Sequence, residues 1–322
     1  MIHCNMPINM QFEVTYKCNN NCIFCYNDKQ IKKDNELDTV QAKKILDDLC
    51  SNGVMSINFN GGEPLVRSDF LELAEYASIL GLDIHLNTNA SLIDDDYAKK
   101  LSCYFASVCT TLLSGDAHIH DELSGREGAF CDAINGIRAL QANDIYVAVN
   151  VMMCNKNHIS FINTLNLLRE LSIRTLLITR YVPDDSQDSG LAISDSDFFN
   201  ALRIAYEFNV TNHCFDRISL PQPIKLCSVP DDLKPLISEW NIPCNIGLCT
   251  ASVNAYGFLT PCNLVKDPVL GDLKCESIKT IWKTFDGLRY CQESHLLPKC
   301  IKCTELECCG GGCKGYNMST KE

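Results

Sequence analysis

The chain has 322 residues, 46% of them hydrophobic and 21% charged, with a formal net charge of −12. That is enough chain for one large domain and a smaller one around a proper core. The acidic balance, without any basic run, excludes a nucleic-acid groove or an anionic membrane surface as the default partner. The N-terminus, MIHCNMPINM, lacks the basic and apolar regions of a signal peptide, and no apolar run approaches the ~20 residues of a membrane span, so the reading is cytoplasmic.

Strand-like runs at 8–17, 54–60, 82–88, 104–113, 145–153 and 175–182 alternate with helix-like segments at about 38–51, 68–80, 94–101, 129–142, 158–171 and 194–207. In LDTVQAKKILDDL, apolar residues recur every three or four positions, Asp38 is placed to cap the start, and Gly53 lies beyond the end. Successive βα units predict a parallel sheet with right-handed crossovers. Six units are too few to close like an eight-stranded barrel. The predicted fold is therefore α/β: a partial (β/α)6 barrel with parallel strands, followed by a small Cys-rich C-terminal domain with a β-hairpin and short helices. The expected division is a core at 1–210, a linker at 211–240 and a cysteine-rich domain at 241–322, with PDDSQDSG (183–190) as an exposed loop.

Cysteine is the outlier, at 21 residues. Nothing indicates export, so clustered cysteines read as metal ligands rather than a disulfide framework, while scattered ones (Cys50, Cys103, Cys109, Cys131, Cys154) read as small core residues. The first cluster, Cys18-x3-Cys22-x2-Cys25, follows the first strand; NGGEP (60–64) follows the second and NTN (87–89) the third. In such folds chemistry gathers at the C-terminal ends of the strands. Three thiolates on one loop can hold three corners of a cubane cluster and leave one iron open; the alternative is zinc closed by a fourth ligand such as Cys4 or His3. Gly61-Gly62 permits a close backbone approach, with Glu63 and Pro64 at its edge.

This combination resembles the radical S-adenosylmethionine superfamily. The resemblance implies that S-adenosyl-L-methionine chelates the open iron of a 4Fe-4S cluster held by Cys18, Cys22 and Cys25, and that its reductive cleavage yields a 5′-deoxyadenosyl radical for hydrogen abstraction. It places Gly61, Gly62 and Glu63 at the methionine amino end beside Pro64, Phe24 near the adenine and Asn89 on the ribose side. The segment 112–140 resembles that of peptide-modifying members through His120-Asp121 and GAF (128–130), but Leu113 stands where the family carries an acidic residue. Asn150, Arg180 and Asp116 are expected on the same rim.

The tail places Cys244 and Cys249 before SVNAYGFLTPC, read as a β-hairpin turned at Tyr256-Gly257 and carrying Cys262. A turn and helix, GDLKCESIKTIWK, precede Cys300-x2-Cys303-x5-Cys309-x3-Cys313. Zinc-ribbon sites are the alternative. The pattern resembles the SPASM extension, which holds auxiliary 4Fe-4S clusters. By that pattern Cys244, Cys249, Cys262 and Cys313 bind a first auxiliary cluster and Cys300, Cys303 and Cys309 a second. The family's last cysteine is not found in the residues after Cys313, which leaves an open iron, a non-Cys ligand, or a substitute such as Cys308 or Cys291. The implied function is an oxygen-sensitive oxidoreductase modifying a peptide or protein, by crosslinking, epimerisation or side-chain oxidation, with a donor such as ferredoxin or flavodoxin. Tetrapyrrole side-chain decarboxylation and a non-catalytic iron–sulfur electron carrier are the alternatives.

Overall fold

The computed structural model describes residues 4–27, 34–183, 190–265, 267–286, 290, 296, 300 and 302–320. The core runs β1 (Asn9–Thr15), α1 (Thr39–Ser51), β2 (Ser56–Gly61), α2 (Phe70–Ile79), β3 (Asp83–Thr88), α3 (Asp95–Leu101), β4 (Ser107–Thr111), α4 (Ala117–Ser124), α5 (Ala129–Ala142), β5 (Tyr146–Met153), α6 (Phe161–Glu170), β6 (Thr175–Arg180) and α7 (Asp195–Asn212). There follow β7 (Arg217–Ser219), α8 (Lys234–Trp240), β8 (Thr250–Val253), β9 (Phe258–Thr260), β10 (Gly271–Asp272) and α9 (Ile278–Thr284). The loop expected at 183–190 falls almost wholly outside the described residues, as do Cys291 and the side chain of Cys308.

β1 to β7 pair in parallel in chain order, and β8 pairs in parallel with the free side of β1 (Asn9↔Thr250, Phe12↔Val253). β8, β9 and β10 are antiparallel, giving one ten-stranded open sheet. Two differences from the sequence reading stand out. The hairpin of the tail extends the core sheet rather than standing apart. Residues 211–240, expected as a linker, contain a seventh parallel strand and α8.

Along β2 to β6 one phase of side chains (Ile57, Phe59, Ile84, Leu86, Val108, Val147, Val149, Leu176, Ile178) is buried beneath the helices. Phe12, Phe59, Phe70 and Phe105 continue that core in a chain of ring contacts 5.6–6.2 Å apart. The other phase lines the concave side: Gln11, Asn58, Asn60, Asn87, Cys109, Thr111, Asn150 and Thr179. Parallel strands covered on both faces read as continuous apolar runs, so this alternation marks a concave face left for a polar occupant. Gln11 Oε1 accepts from Asn58 Nδ2 (3.1 Å) and Asn60 Nδ2 (2.6 Å), while the Oδ1 atoms of Asn60 and Asn150 are buried without a partner among the described residues.

Helix starts carry the expected caps. Asp38 and Gln41 form a reciprocal capping box on α1, and Asp94 and Ser194 cap α3 and α7. Asp48 of α1 reaches the tail, where its carboxylate accepts from Ser277 Oγ and the Ile278 amide, both at 2.6 Å, at the start of α9. Among the described residues no helix is long and apolar enough to cross a membrane.

Candidate functional site

The loop bearing Cys18, Cys22 and Cys25 leaves the C-terminal end of β1 and is held from behind by α4. The Asn21 and Ile23 amides donate to Ser124 O and Leu123 O, both at 3.0 Å, and Arg126 Nε donates to Asn20 Oδ1 at 2.6 Å. A side chain at Gly125 (φ +62°) would come within 2.1 Å of Asn21 O, so the closeness of this contact requires glycine. His120 and Asp121 serve this wall. Asp121 accepts from the Gly128 and Phe130 amides (2.7 Å each) at the start of α5, and burial pushes His120 down to about 4, leaving it neutral. Asp116, expected on the rim, lies after the C-terminal end of β4 and caps α4 through the His118 and Ile119 amides.

The glycines of NGGEP have an immediate structural role. They let the backbone approach the end of β1 closely. Gly62 N donates to Thr15 O (2.7 Å) and Glu63 N to Lys17 O (2.9 Å); a Cβ at Gly61 would sit 2.3 Å from Thr15 O, and one at Gly62 2.2 Å from Lys17 O. The β2 rim is thus clamped to the residues just before Cys18. Asn27 Nδ2 closes the far end of the loop on Gly61 O at 2.9 Å.

Glu63 is buried and ties three elements together. Its Oε1 accepts from Thr88 Oγ1 (2.7 Å) and Leu65 N (3.1 Å), and its Oε2 accepts from Asn89 N (2.7 Å). Burial raises its pKa to about 7 against these hydrogen bonds, which lower it. Pro64 opens a short 3-10 turn capped by Glu63. Asn89 stands at the cysteine loop, its Nδ2 2.9 Å from Asn19 Oδ1 and 3.9 Å from Cys18 Sγ. Phe24 packs inward against the cluster containing Leu113, Leu123, Met152, Cys154 and Tyr181. Leu113 is a core residue here. Arg180 is bound to Asp195 Oδ1 and Ile193 O, both at 2.6 Å, and lies over the rings of Phe198 and Tyr316.

In the tail, electrostatic interactions link Cys262 with Cys244 and Cys313, and Cys313 with Cys244, so residues up to 69 positions apart share one neighbourhood. Burial pushes Cys262 up to about 12 and Cys313 to about 11, which keeps them protonated until a metal displaces the protons. Lys314, almost wholly buried, donates to Ile246 O at 3.3 Å beside them. Cys249 is turned to a partner the sequence did not offer: its sulfur lies 2.7 Å from that of Cys4, whose amide donates to Leu248 O at 3.1 Å. Cys300, Cys303 and Cys309 follow one another through short turns, Cys303 N donating to Cys300 O (3.0 Å) and Cys309 N to Glu305 O (2.8 Å). The loop and tail touch where Asn263 Nδ2 donates to Tyr26 Oη at 3.1 Å.

Among the described residues no three Cys, His, Asp or Glu side chains already stand as a closed metal cage. Donor chemistry and placement are what fit an iron–sulfur cluster. Three soft thiol donors share one loop at the C-terminal rim, and Cys18 Sγ accepts from Asn20 N at 3.4 Å, a kind of contact that tunes such clusters. The unpartnered Asn60 and Asn150 oxygens on the concave side await donors from an occupant.

Two family models match the chain: the Radical SAM superfamily over residues 12–168 and SPASM, an iron–sulfur cluster-binding domain, over residues 244–304. The AdoMet-dependent heme synthase of Methanosarcina barkeri is 27% identical, with 95% of this chain and 91% of that one aligned. The mycofactocin maturase MftC of Mycolicibacterium smegmatis is 26% identical over 98% of this chain and 80% of that one. The Fe-coproporphyrin III synthase of M. barkeri is 37% identical, over 147 residues that make up 45% of this chain and only 37% of that protein. In fold, the chain is similar to Streptococcus suis SuiB, solved bound to S-adenosylmethionine (TM-score 0.81, 17% identity, 99% of this chain and 75% of that one) and also with its precursor peptide SuiA. Together with the cysteine loop and its glycine clamp, these matches show that the chain belongs to the radical SAM superfamily and carries a SPASM iron–sulfur cluster-binding domain.

Proposed function

We propose that this chain is a radical S-adenosylmethionine enzyme that matures a precursor peptide, using Cys18, Cys22 and Cys25 for the catalytic cluster and the tail cysteines for auxiliary clusters. Bound there, the cluster and S-adenosylmethionine supply the electron and the carbon radical, chemistry no side chain can provide. The protein's own part is placement. The Gly61–Glu63 backbone sets the rim, Asn89 orients the loop, and the polar concave face receives the substrate segment.

The observation that carries the peptide reading over a tetrapyrrole is the charge of that concave face. Its strand positions carry Gln11, Asn58, Asn60, Asn87, Thr111, Asn150 and Thr179, with Glu13 and Asp83 as the acidic residues and His85 and Arg217 as the basic ones, Arg217 on the outer strand β7 with its Nε on Ser219 Oγ at 2.9 Å. Amides and hydroxyls suit the backbone of an extended peptide. A porphyrin bearing several carboxylates calls for Arg or Lys forks. The near full-length similarity to a mycofactocin maturase points the same way, although the heme-synthase similarity is of equal extent. The reading places the reaction in the cytoplasm, with ferredoxin or flavodoxin as donor.

The test is anaerobic incubation of reconstituted protein with S-adenosylmethionine, a reductant and either the small peptides encoded beside it or Fe-coproporphyrin III. A mass or stereochemical change in a peptide, with the porphyrin unaltered, is expected. Decarboxylation of the porphyrin with every peptide unchanged would overturn the reading.

A further inference from the structure

We propose that Cys227 supplies the fourth thiolate of a second auxiliary iron–sulfur site built on Cys300, Cys303 and Cys309. The inference rests on the assignment of those three cysteines to one cluster.

The tail run Cys300-x2-Cys303-x5-Cys309-x3-Cys313 is shared between two places in the fold. Cys313 belongs with Cys244 and Cys262, as their mutual electrostatic interactions show. Three cysteines remain, and a four-iron cubane presents four corners. Residues 314–322 contain no cysteine. Apart from Cys308, next to Cys309 in the chain, a thiol from another segment of the described residues comes close to this place.

The segment between β7 and α8 provides it. Pro223 O accepts from the Cys313 amide at 2.7 Å. A Cβ on Gly312 (φ +82°) would lie 2.7 Å from Lys225 Cγ and 3.2 Å from Lys225 N, so the two backbones are in close contact there. The Leu226 amide then donates to Cys309 Sγ itself at 3.4 Å. Cys227 is the next residue, and standard backbone dimensions put its Cα within about 8 Å of that sulfur. Lys234 interacts electrostatically with both Cys227 and Glu305, so the turn Leu226–Ser228 and the start of the helix Leu306–Cys309 face a common volume.

The donor properties also agree. Cys300 and Cys309 are each 8% exposed, whereas Cys227 and Cys303 are on the outside. Two inner and two outer thiols describe a cluster seated at the surface, and Lys225, itself 9% exposed, lies beside it to offset the negative charge of four thiolates. A cubane here would pin the 222–228 segment to the tail loop.

The experiment is anaerobic reconstitution of wild type, Cys227→Ala, Cys227→Ser and Cys309→Ala, with iron and sulfide counted per chain and EPR spectra recorded in oxidised and reduced states. S-adenosylmethionine binding and the melting curve serve as folding controls. Cys227→Ala is expected to lose about four irons or to show the oxidised-state signal of a three-iron cluster, matching Cys309→Ala, while S-adenosylmethionine binding persists. Wild-type iron and spectra in both Cys227 variants, alongside a loss in Cys309→Ala, would overturn the proposal while sparing the second site. Full iron in Cys309→Ala would instead remove the second site and this proposal with it. Cys291→Ala and Cys308→Ala, run in parallel, overturn the assignment of Cys227 if one of them loses the cluster and Cys227→Ala does not.

Discussion

The two cysteine-bearing regions are held in different ways. The rim loop carries its three cysteines within eight residues and is fixed by backbone: Thr15 O and Lys17 O on one side, Ser124 O and Leu123 O on the other. The tail gathers Cys244, Cys262 and Cys313 from distant positions, and among the described residues it joins the core sheet through the short pairing of β8 with β1. A site set by neighbouring backbones is shaped before anything binds. A site assembled from distant loops gains much of its order from the metal it closes on. The comparison implies that the first site tolerates loss of its metal better than the tail does.

Replacing Cys18, Cys22 and Cys25 together by Ala is the largest perturbation. It should abolish S-adenosylmethionine cleavage and remove about four irons per chain, leaving the tail's iron and the melting temperature nearly unchanged. Cleavage surviving the triple change, or a collapse of tail iron, would break the distinction between the regions. Next comes Gly62→Ala. Its methyl group meets Lys17 O at 2.2 Å, so the clamp must open, at a cost of about 1–3 kcal/mol. S-adenosylmethionine cleavage should fall at least tenfold with tail iron intact; wild-type cleavage would mean that the glycine contact does not position the loop.

The smallest effect concerns pH. Glu63 is raised from its ordinary value to about 7 by burial. A carboxyl with a raised folded pKa stabilises fully below its unfolded pKa, and that contribution fades as pH rises through about 7. Metal-free wild type should therefore lose stability between about pH 4.5 and 7 more steeply than Glu63→Gln, as read from denaturant midpoints. Parallel curves for the two proteins would show that Glu63 does not titrate in that window.

Much of this was legible in the chain. The six core strands and the helices between them follow from short-range periodicity and caps such as Asp38 and Asp94. α4 is hard to read from the sequence because AHIHDELS is only eight residues long, and its cap, Asp116, stands between it and the end of β4. The pairings of Cys4 with Cys249, of Asp48 with Ser277 and of the Leu226 amide with Cys309 each join positions 83 to 245 residues apart. No local pattern encodes such distances. Glu63 illustrates the same limit at short range: its residue type announced a rim, but only the fold shows both oxygens engaged with Leu65, Thr88 and Asn89.

The parallel pairing of β1 with β8 also bears on how the protein is made. Asn9 waits for Thr250, so one edge of β1 stays unsatisfied while the next 241 residues are synthesised. At 5–20 residues per second that is roughly 12–48 s. Throughout this interval the nascent chain presents an open strand edge that can pair with a neighbouring chain. The high contact order of this single ladder makes it a late folding event.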